Sequence, residues 1–436
     1  KLHIPLRIGE MNNKDKFDCH FFGIHRKQSS SLDIMTRLVL ERSYEAIIDA
    51  GFSPKELHKS NVTVIVSASI SESELTWLYS DSHSGMEFLG HSRAMISNRV
   101  SFWLGLHGSS YALTTLETAG IEGITIAYNR IKSGEYDSAL VGSVNLVMLP
   151  QLSYHFQELG FLSPDANGYA RSDGVAVMFL QKAKDAKRIY AKIVHSVAEC
   201  YGDRKVPFIR PMRELYVDLL QRFYETCGVD PTCIDFLEAD GSGIKLWDEE
   251  ELNAVDEVLL KNRKTPLLIG SVKSNLGHAF AASNYSSVAK VIIAMQSGQI
   301  PPNLHYKQPL PTVPALVENR LKVVTETTQW NGRYVALNTI GMSGIYGHLL
   351  LKSFERKTPK QKHDDGIPRL VLFSGRTEES MNDIFNKMEA MPLDVEFVGL
   401  LHDIYSKNLS NHLYRGYTIL PTEEKQFHCT IVNIHS

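Results

Sequence analysis

Nucleophiles are the first residues to weigh in this chain. It has five cysteines, Cys19, Cys200, Cys227, Cys233 and Cys429. Their number is odd, their spacing is irregular and no pair has metal-ligand separation, so they read as free thiols in a reducing compartment. Ser242 and Ser343 lie near glycines, but neither sits in a Gly-x-Ser-x-Gly turn, and hydrolase chemistry has little support. The N-x-S/T triplets at Asn61, Asn284 and Asn408 are common by chance and are discounted in the absence of a secretory signal. The 436 residues are 43% hydrophobic and 22% charged, with a formal net charge of -3. That balance excludes disorder and gives no basic face for nucleic acid. The longest apolar runs, at 63–68 and 175–180, are strand-length and far short of the ~20 residues that span a bilayer. A cytoplasmic protein with no nucleic-acid or membrane partner is expected.

The elements that must position any site alternate between strand and helix, which argues for a layered α/β core. A helix is expected over 34–50, with Leu40, Tyr44, Ile47 and Ile48 on one face and Gly51 as its stop. Strands are expected at 62–67 and 111–115, then a helix carrying Ile121, Ile124, Thr125, Tyr128 and Ile131 and ending at Ser133-Gly134, then strands at 139–142 and 174–180. The second half has the same rhythm. A strand at 234–239 leads to a helix opened by Asp248, a strand at 267–272 leads to a helix with Val288, Val291, Ile292 and Met295, and strands at 334–338 and 348–352 close the region. Residues 352–362 hold five basic residues (Lys352, Arg356, Lys357, Lys360, Lys362) and a proline, and read as an exposed linker. Beyond it a small α/β unit is expected, with strands at 369–374 and 414–420 and helices at 378–388 and 394–404. No reading is made of the chain from Pro421 onward.

Five motifs stand out. They are Phe17-Asp18-Cys19-His20-Phe21-Phe22-Gly23, Tyr44-Glu45-Ala46-Ile47-Ile48-Asp49-Ala50-Gly51, Ala139-Leu140-Val141-Gly142, Leu162-Ser163-Pro164-Asp165 and Gly270-Ser271-Val272-Lys273-Ser274-Asn275-Leu276-Gly277-His278. Over residues 1–354 the chain resembles the ketosynthase (β-ketoacyl synthase) domain of animal fatty acid synthases. Residues 367–421, with Ser374-Gly375-Arg376-Thr377 and Arg415-Gly416-Tyr417, resemble the linker between ketosynthase and acyltransferase. The resemblance implies a thiolase-like five-layer αβαβα fold followed by a small α/β linker domain. It also implies a homodimer paired through the strand at 111–115, no resident cofactor, and a phosphopantetheine-linked acyl carrier protein as substrate carrier. Family members begin with a central strand ahead of the position matching Leu6, so the chain is expected to be a fragment lacking it.

The family's chemistry uses a cysteine to hold the acyl chain, two histidines to stabilise an enolate, and a lysine that orders the network. The nucleophile motif Asp-Thr-Ala-Cys-Ser-Ser-Ser aligns with Thr114-Thr115-Leu116-Glu117-Thr118-Ala119-Gly120, so Glu117 stands at the cysteine position. The first histidine motif reads Glu238-Ala239-Asp240-Gly241-Ser242-Gly243-Ile244, so Asp240 replaces that histidine and Ile244 a threonine expected to contact the pantetheine arm. The second histidine, His278, and the lysine, Lys273, remain. The glycine-rich gating loop reads Gly341-Met342-Ser343-Gly344-Ile345-Tyr346, and the loop after Asp165 is shorter than usual. Ser242, Met342 and Ser343 are the candidate substrate-binding positions. A carboxylate cannot form the thioester that condensation needs, so a pseudoenzyme is expected, with malonyl-carrier decarboxylation or simple acyl binding as alternatives. Asp240 is expected to pair with Lys273. No metal is expected, since the Glu117, Asp240 and His278 spacing derives from a fold that does not use it for ligation.

Overall fold

A computed structural model describes residues 7–78, 85–162, 167–203, 209–342, 344–354, 369–390, 395–406, 409, 412–420 and 430–433. It divides the chain into two units, one of residues 1–43 and 59–354, the other of residues 44–58 and 355–436. The helix expected over 34–50 forms as Ile34–Asp49, and the segment from Tyr44 onward groups with the C-terminal unit.

The described residues of the larger unit form two large sheets and a two-stranded one of Gln299–Ile300 and Thr328–Gln329. The first has the strand order Ser110–Leu113, Val62–Ala68, Ser138–Asn145, Gly174–Gln181. Its first three strands run parallel and the last antiparallel. The second has the order Ala191–Cys200, Ile345–Ser353, Tyr334–Ile340, Phe236–Glu238, Leu267–Gly270, Leu321–Val323. Here the last four strands are parallel, and Ile345–Ser353 joins them antiparallel. Strands at 62–68 and 138–145 are fully buried, with small polar residues such as Thr63, Ser67 and Ser143 inside as well, so neither has a solvent face to impose alternation.

Helices Ala119–Ser133 and Ser283–Ser297 lie between the sheets. Ile121, Ile124, Ala127, Val288, Val291 and Ala294 share a core with Ile65 and Val141 of the first sheet and Phe236, Leu337 and Leu349 of the second. Outside the second sheet, helices Arg213–Cys227 and Lys245–Leu259 bury Tyr216, Leu220, Phe223, Val255 and Leu259. Outside the first, helix Ala94–Leu104 buries Ile96, Val100 and Leu104. The layers therefore alternate helix, sheet, helix, sheet, helix, which is the thiolase-like α/β arrangement. Gly134 ends the central helix in the left-handed region at φ 84°, where a Cβ would be strained.

Several sequence expectations change. The helix expected to open at Asp248 begins at Lys245 with Ile244 as its N-cap, because Asp248 turns inward to accept bonds from the preceding loop rather than capping the end. The runs at 234–239 and 267–272 narrow to Phe236–Glu238 and Leu267–Gly270. The strand expected at 111–115 ends at Leu113, where the chain turns toward Glu117.

The smaller unit has an antiparallel sheet of Arg369–Gly375, Tyr414–Leu420 and Thr430–Asn433. The third strand lies in the stretch that sequence reading left open. Helices Glu378–Ala390 and Val395–Tyr405 supply Met381, Phe385 and Val398 to a core with Val371 and Phe373. Of the linker expected at 352–362, Lys352 and Ser353 instead end the strand Ile345–Ser353, where they pair with Lys192 and Ala191, and 355–362 lie outside the described residues.

Candidate functional site

Parallel strands bring the site together by ending at one level. Phe236–Glu238 and Leu267–Gly270 pair in register, Glu238 opposite Gly270, so Asp240 and Lys273 leave neighbouring strand ends. Tyr334–Ile340 pairs with the same strand, Leu337 opposite Glu238, which carries Gly341 and Met342 to that end as well. In the first sheet Ser110–Leu113 runs parallel to Val62–Ala68, and its exit leads to Glu117. Carboxyl ends of parallel strands are where α/β folds place ligand-handling groups.

Glu117 lies in a one-turn helix, Leu116–Thr118, that leads into Ala119–Ser133. Leu116 holds φ at 55°, a left-handed conformation that costs a branched side chain roughly 1–2 kcal/mol. The turn is clamped from several sides. Ser67 Oγ donates to the Ala119 carbonyl at 2.6 Å and Ile121 N–H to Asn284 Oδ1 at 3.3 Å. A Cβ at Gly120 would meet the Ala281 carbonyl at 2.8 Å, and one at Gly341 would meet Thr118 Cγ2 at 2.9 Å. The backbone pins the turn and leaves the Glu117 carboxyl inside, 3% exposed, with Oε2 lacking a partner among the described residues. Burial pushes its pKa up to about 7, and the Asp240 charge adds to the rise; its own backbone N–H, the Lys273 ammonium and the Met342 N–H act the other way.

Asp240 is 4% exposed and ion-paired. Its Oδ1 accepts from Lys273 Nζ at 2.7 Å and from Ile340 N–H at 3.3 Å. Its own N–H donates to Glu251 Oε1 at 2.8 Å, and the Gly241 N–H to Glu251 Oε2 at 3.0 Å. Asn338 Nδ2 also donates to Glu251 Oε1, at 2.8 Å. Ser242 Oγ and Gly243 N–H both donate to Asp248 Oδ1 at 3.2 Å. Burial first, and the Asp240 charge second, raise Asp248 to about 7 and Glu251 in the same direction. Ser242 is thus spent on holding its own loop.

His278 follows Lys273 through a turn in which Gly277 takes φ 84°. Its Nδ1 accepts from Phe280 N–H at 3.0 Å and contacts Ser283 Oγ at 3.2 Å. A backbone donor on Nδ1 fixes the neutral ring's proton on Nε2. Burial, then the charges of Lys273 and Arg171, hold its pKa well below the ordinary value, so the ring stays neutral. Tyr169 packs its ring 4.4 Å from His278, and its hydroxyl, without a partner among the described residues, feels the Glu117 and Asp240 charges. Behind the site Lys290 Nζ pairs with Glu238 at 2.7 Å and Arg171 with Glu72 at 2.6 Å, both buried.

Of the positions singled out from sequence, Asp240 and Lys273 are bonded to each other, their charges and the Met342 N–H act on the buried Glu117 carboxyl, and His278 packs against Tyr169. Ser343 and residues 163–166 lie outside the described residues. Sequence reasoning missed Tyr169, Glu251 and Asn338 as site neighbours, and assigned Asp248 to the helix end. The described cysteines belong to other elements: Cys19 to an N-terminal turn, Cys200 to the end of a strand, Cys227 to the end of a helix and Cys233 to a short turn. Among the described residues no group of His, Cys, Asp and Glu converges as metal ligands would, and no helix is long and apolar enough to cross a membrane.

Comparison with known proteins accounts for this layout. Residues 3–186 match the model of the β-ketoacyl synthase N-terminal domain, 190–307 that of the C-terminal domain, and 309–419 that of the ketoacyl-synthetase C-terminal extension. The chain is 36% identical over 305 residues to a fatty acid synthase of Anser anser anser, covering 68% of this chain and 87% of that protein. It is 32% identical over 356 residues to a partially reducing polyketide synthase of Talaromyces stipitatus, covering 77% of this chain and 14% of that much longer protein. The solved ketosynthase from module 6 of the bacillaene synthase of Bacillus subtilis 168 superimposes with a TM-score of 0.82 at 26% identity, covering 94% of this chain and 74% of that one. The chain therefore belongs to the β-ketoacyl synthase family, as a ketosynthase of the fatty acid and polyketide synthase type.

Proposed function

We propose that this chain is a ketosynthase-fold module for acyl thioesters that does not condense them. The observation that carries the reading is Glu117, seated on the turn into the central buried helix where the family's cysteine belongs. Condensation begins with a thioester bond from that cysteine to the acyl chain, and a carboxyl offers no sulfur to form it. Asp240 compounds the loss, since its carboxylate neutralises Lys273 and presents an acceptor where a donor to an enolate oxygen is needed. The carrier of the acyl group is a phosphopantetheine-linked acyl carrier protein, and the compartment is the cytoplasm. The assembly is a homodimer joined along the strand Ser110–Leu113, which among the described residues stands at the edge of its sheet with one side unpaired.

The test supplies acyl-carrier and malonyl-carrier together and follows both β-ketoacyl product and carbon dioxide. Neither should form. A β-ketoacyl product overturns the reading. Carbon dioxide without it, lost in Glu117→Ala, replaces the reading by a malonyl-carrier decarboxylase.

A further inference from the structure

A second polar hollow, sharing no residue with the candidate site, lies between helices Glu72–Leu78 and Met86–His91 and the end of helix Arg26–Ser30. It is a cavity of about 320 Å³, room for a small ligand. Four hydroxyl residues, Ser30, Ser31, Ser73 and Thr76, line it together with the Glu87 carboxylate. Trp77 and His91 form an aromatic wall, their rings parallel within 4° and 5.7 Å apart. The imidazole is anchored in that pose. Its Nδ1 lies 3.4 Å from Ser73 Oγ and 3.8 Å from Asp33 Oδ2. Ser71 Oγ donates to the same Asp33 oxygen at 2.5 Å and contacts Ser73 Oγ at 3.1 Å. Helix starts account for part of this string, since Asp33 accepts the Met35 N–H and Ser71 the Glu74 N–H. They account for neither the stacked pair nor the hollow in front of it.

The chemistry of the wall selects a class of ligand. No lysine or arginine is among the described lining residues, so the wall offers an anion no cation to meet it. The arginines of the region are engaged elsewhere: Arg171 with Glu72 at 2.6 Å, Arg93 with Glu74 at 3.2 Å and Arg37 with the Ser30 carbonyl at 3.4 Å. Trp77 and Met148 are the large apolar groups among the described lining residues, too few to house an acyl chain. A carboxylate, an aromatic face and hydroxyl oxygens are what a cation with several N–H groups requires: a counter-charge, a π surface and hydrogen-bond acceptors. The buried Asp33 carboxylate, 2% exposed, adds negative potential beside them. We propose that this cavity binds an alkylammonium group, with Glu87 as its counter-charge, Trp77 as its aromatic wall and the Ser73 and Thr76 hydroxyls as acceptors for its N–H groups. The site is independent of the acyl-thioester reading and involves no covalent step. The Asp33–Ser71–Ser73–His91 string sets the aromatic wall before a ligand arrives, which lowers the ordering cost of binding. The same ammonium is carried by a free amine or by a lysine side chain of another protein, and the test separates the two.

The experiment titrates the full chain with phenethylammonium and follows both tryptophan fluorescence and saturation-transfer NMR. 2-Phenylethanol and 3-phenylpropionate serve as neutral and anionic counterparts, and N-acetyl-lysine methylamide as the peptide form of the ammonium. Phenethylammonium should bind about tenfold or more tighter than the alcohol, and the anion should not bind. Glu87→Gln should weaken the cation by about tenfold and leave the alcohol unchanged. Trp77→Phe keeps a ring face, so it should keep binding while losing the fluorescence change. Trp77→Ala should lose binding with the fold intact by circular dichroism; if it does not fold, Trp77→Phe and Glu87→Gln still decide. Tighter binding of the lysine amide than of phenethylammonium assigns the ammonium to a protein partner, and the reverse order to a free amine. Equal binding of cation, alcohol and anion overturns the proposal. So does a Glu87→Gln variant that holds the cation as well as the parent, or absence of binding by both ammonium probes.

Discussion

Glu117 carries a pH dependence of stability whose sign can be worked out. Its folded pKa, about 7, stands above the ordinary 4.5, so between those values the folded chain binds more protons than the unfolded one. Stability from this group is complete below about 4.5, falls as pH rises, and is lost above about 7. At about 1.36 kcal/mol per pH unit the span is about 3 kcal/mol. Asp248 and Glu251 shift in the same direction, so the parent should weaken markedly from pH 5 to pH 8. Glu117→Gln should flatten part of that slope and be the more stable protein at pH 8. Denaturant unfolding at pH 5, 6.5 and 8 checks this, and equal slopes for both proteins would count against a buried, proton-holding Glu117.

The Asp240–Lys273 pair makes a second residue-scale prediction. Removing one partner of a buried pair leaves a bare charge and costs about 3–5 kcal/mol. Lys273→Met should therefore destabilise strongly, while Lys273→Met with Asp240→Asn should recover most of the loss, a non-additivity that unfolding measurements read directly. The same pair limits repair of the site. Glu117→Cys alone should remain inactive in condensation, because a carboxylate still faces the new thiol and no first histidine is present. Condensation by that single variant would show that Asp240 is tolerated.

At the scale of elements, close approach of the central helix to the turn Phe280–Ala282 holds the site. Gly120 permits it, since a Cβ there would lie 2.8 Å from the Ala281 carbonyl. Gly120→Ala should cost about 1–3 kcal/mol, read as a lowered denaturant midpoint, whereas Gly134→Ala tests only the left-handed cap. Elements with an uninterrupted apolar face, such as Ile34–Asp49 and Ala119–Ser133, were legible from spacing alone. The strand Ala191–Cys200 was not, because it lies at a sheet edge with both faces half-covered, so neither alternation nor a fully apolar run marks it. Helix Arg213–Cys227 was also passed over, although Tyr216, Leu220, Phe223 and Tyr224 give it a readable face. Glu117, Asp240, Lys273 and His278 came from motifs. Tyr169, Glu251 and Asn338 enter from distant segments only once parallel strands end together, and no local pattern announces that.

The whole molecule has the frame of a ketosynthase, and the proposed loss of condensation is confined to its reactive centre. Buried pairs Lys290–Glu238 and Arg171–Glu72 and the His348–Asn338 contact at 2.8 Å hold the layers around the site without touching the altered positions, so the fold does not depend on a thiol. The proposed homodimer should sediment at twice the chain mass, and a single species at the chain mass would remove the pairing along Ser110–Leu113. The central claim, that this site cannot hold an acyl chain covalently, is tested most directly by intact-protein mass spectrometry after incubation with an acyl-carrier thioester. The account predicts an unchanged mass. An acyl adduct that maps to the peptide containing Glu117 would contradict it.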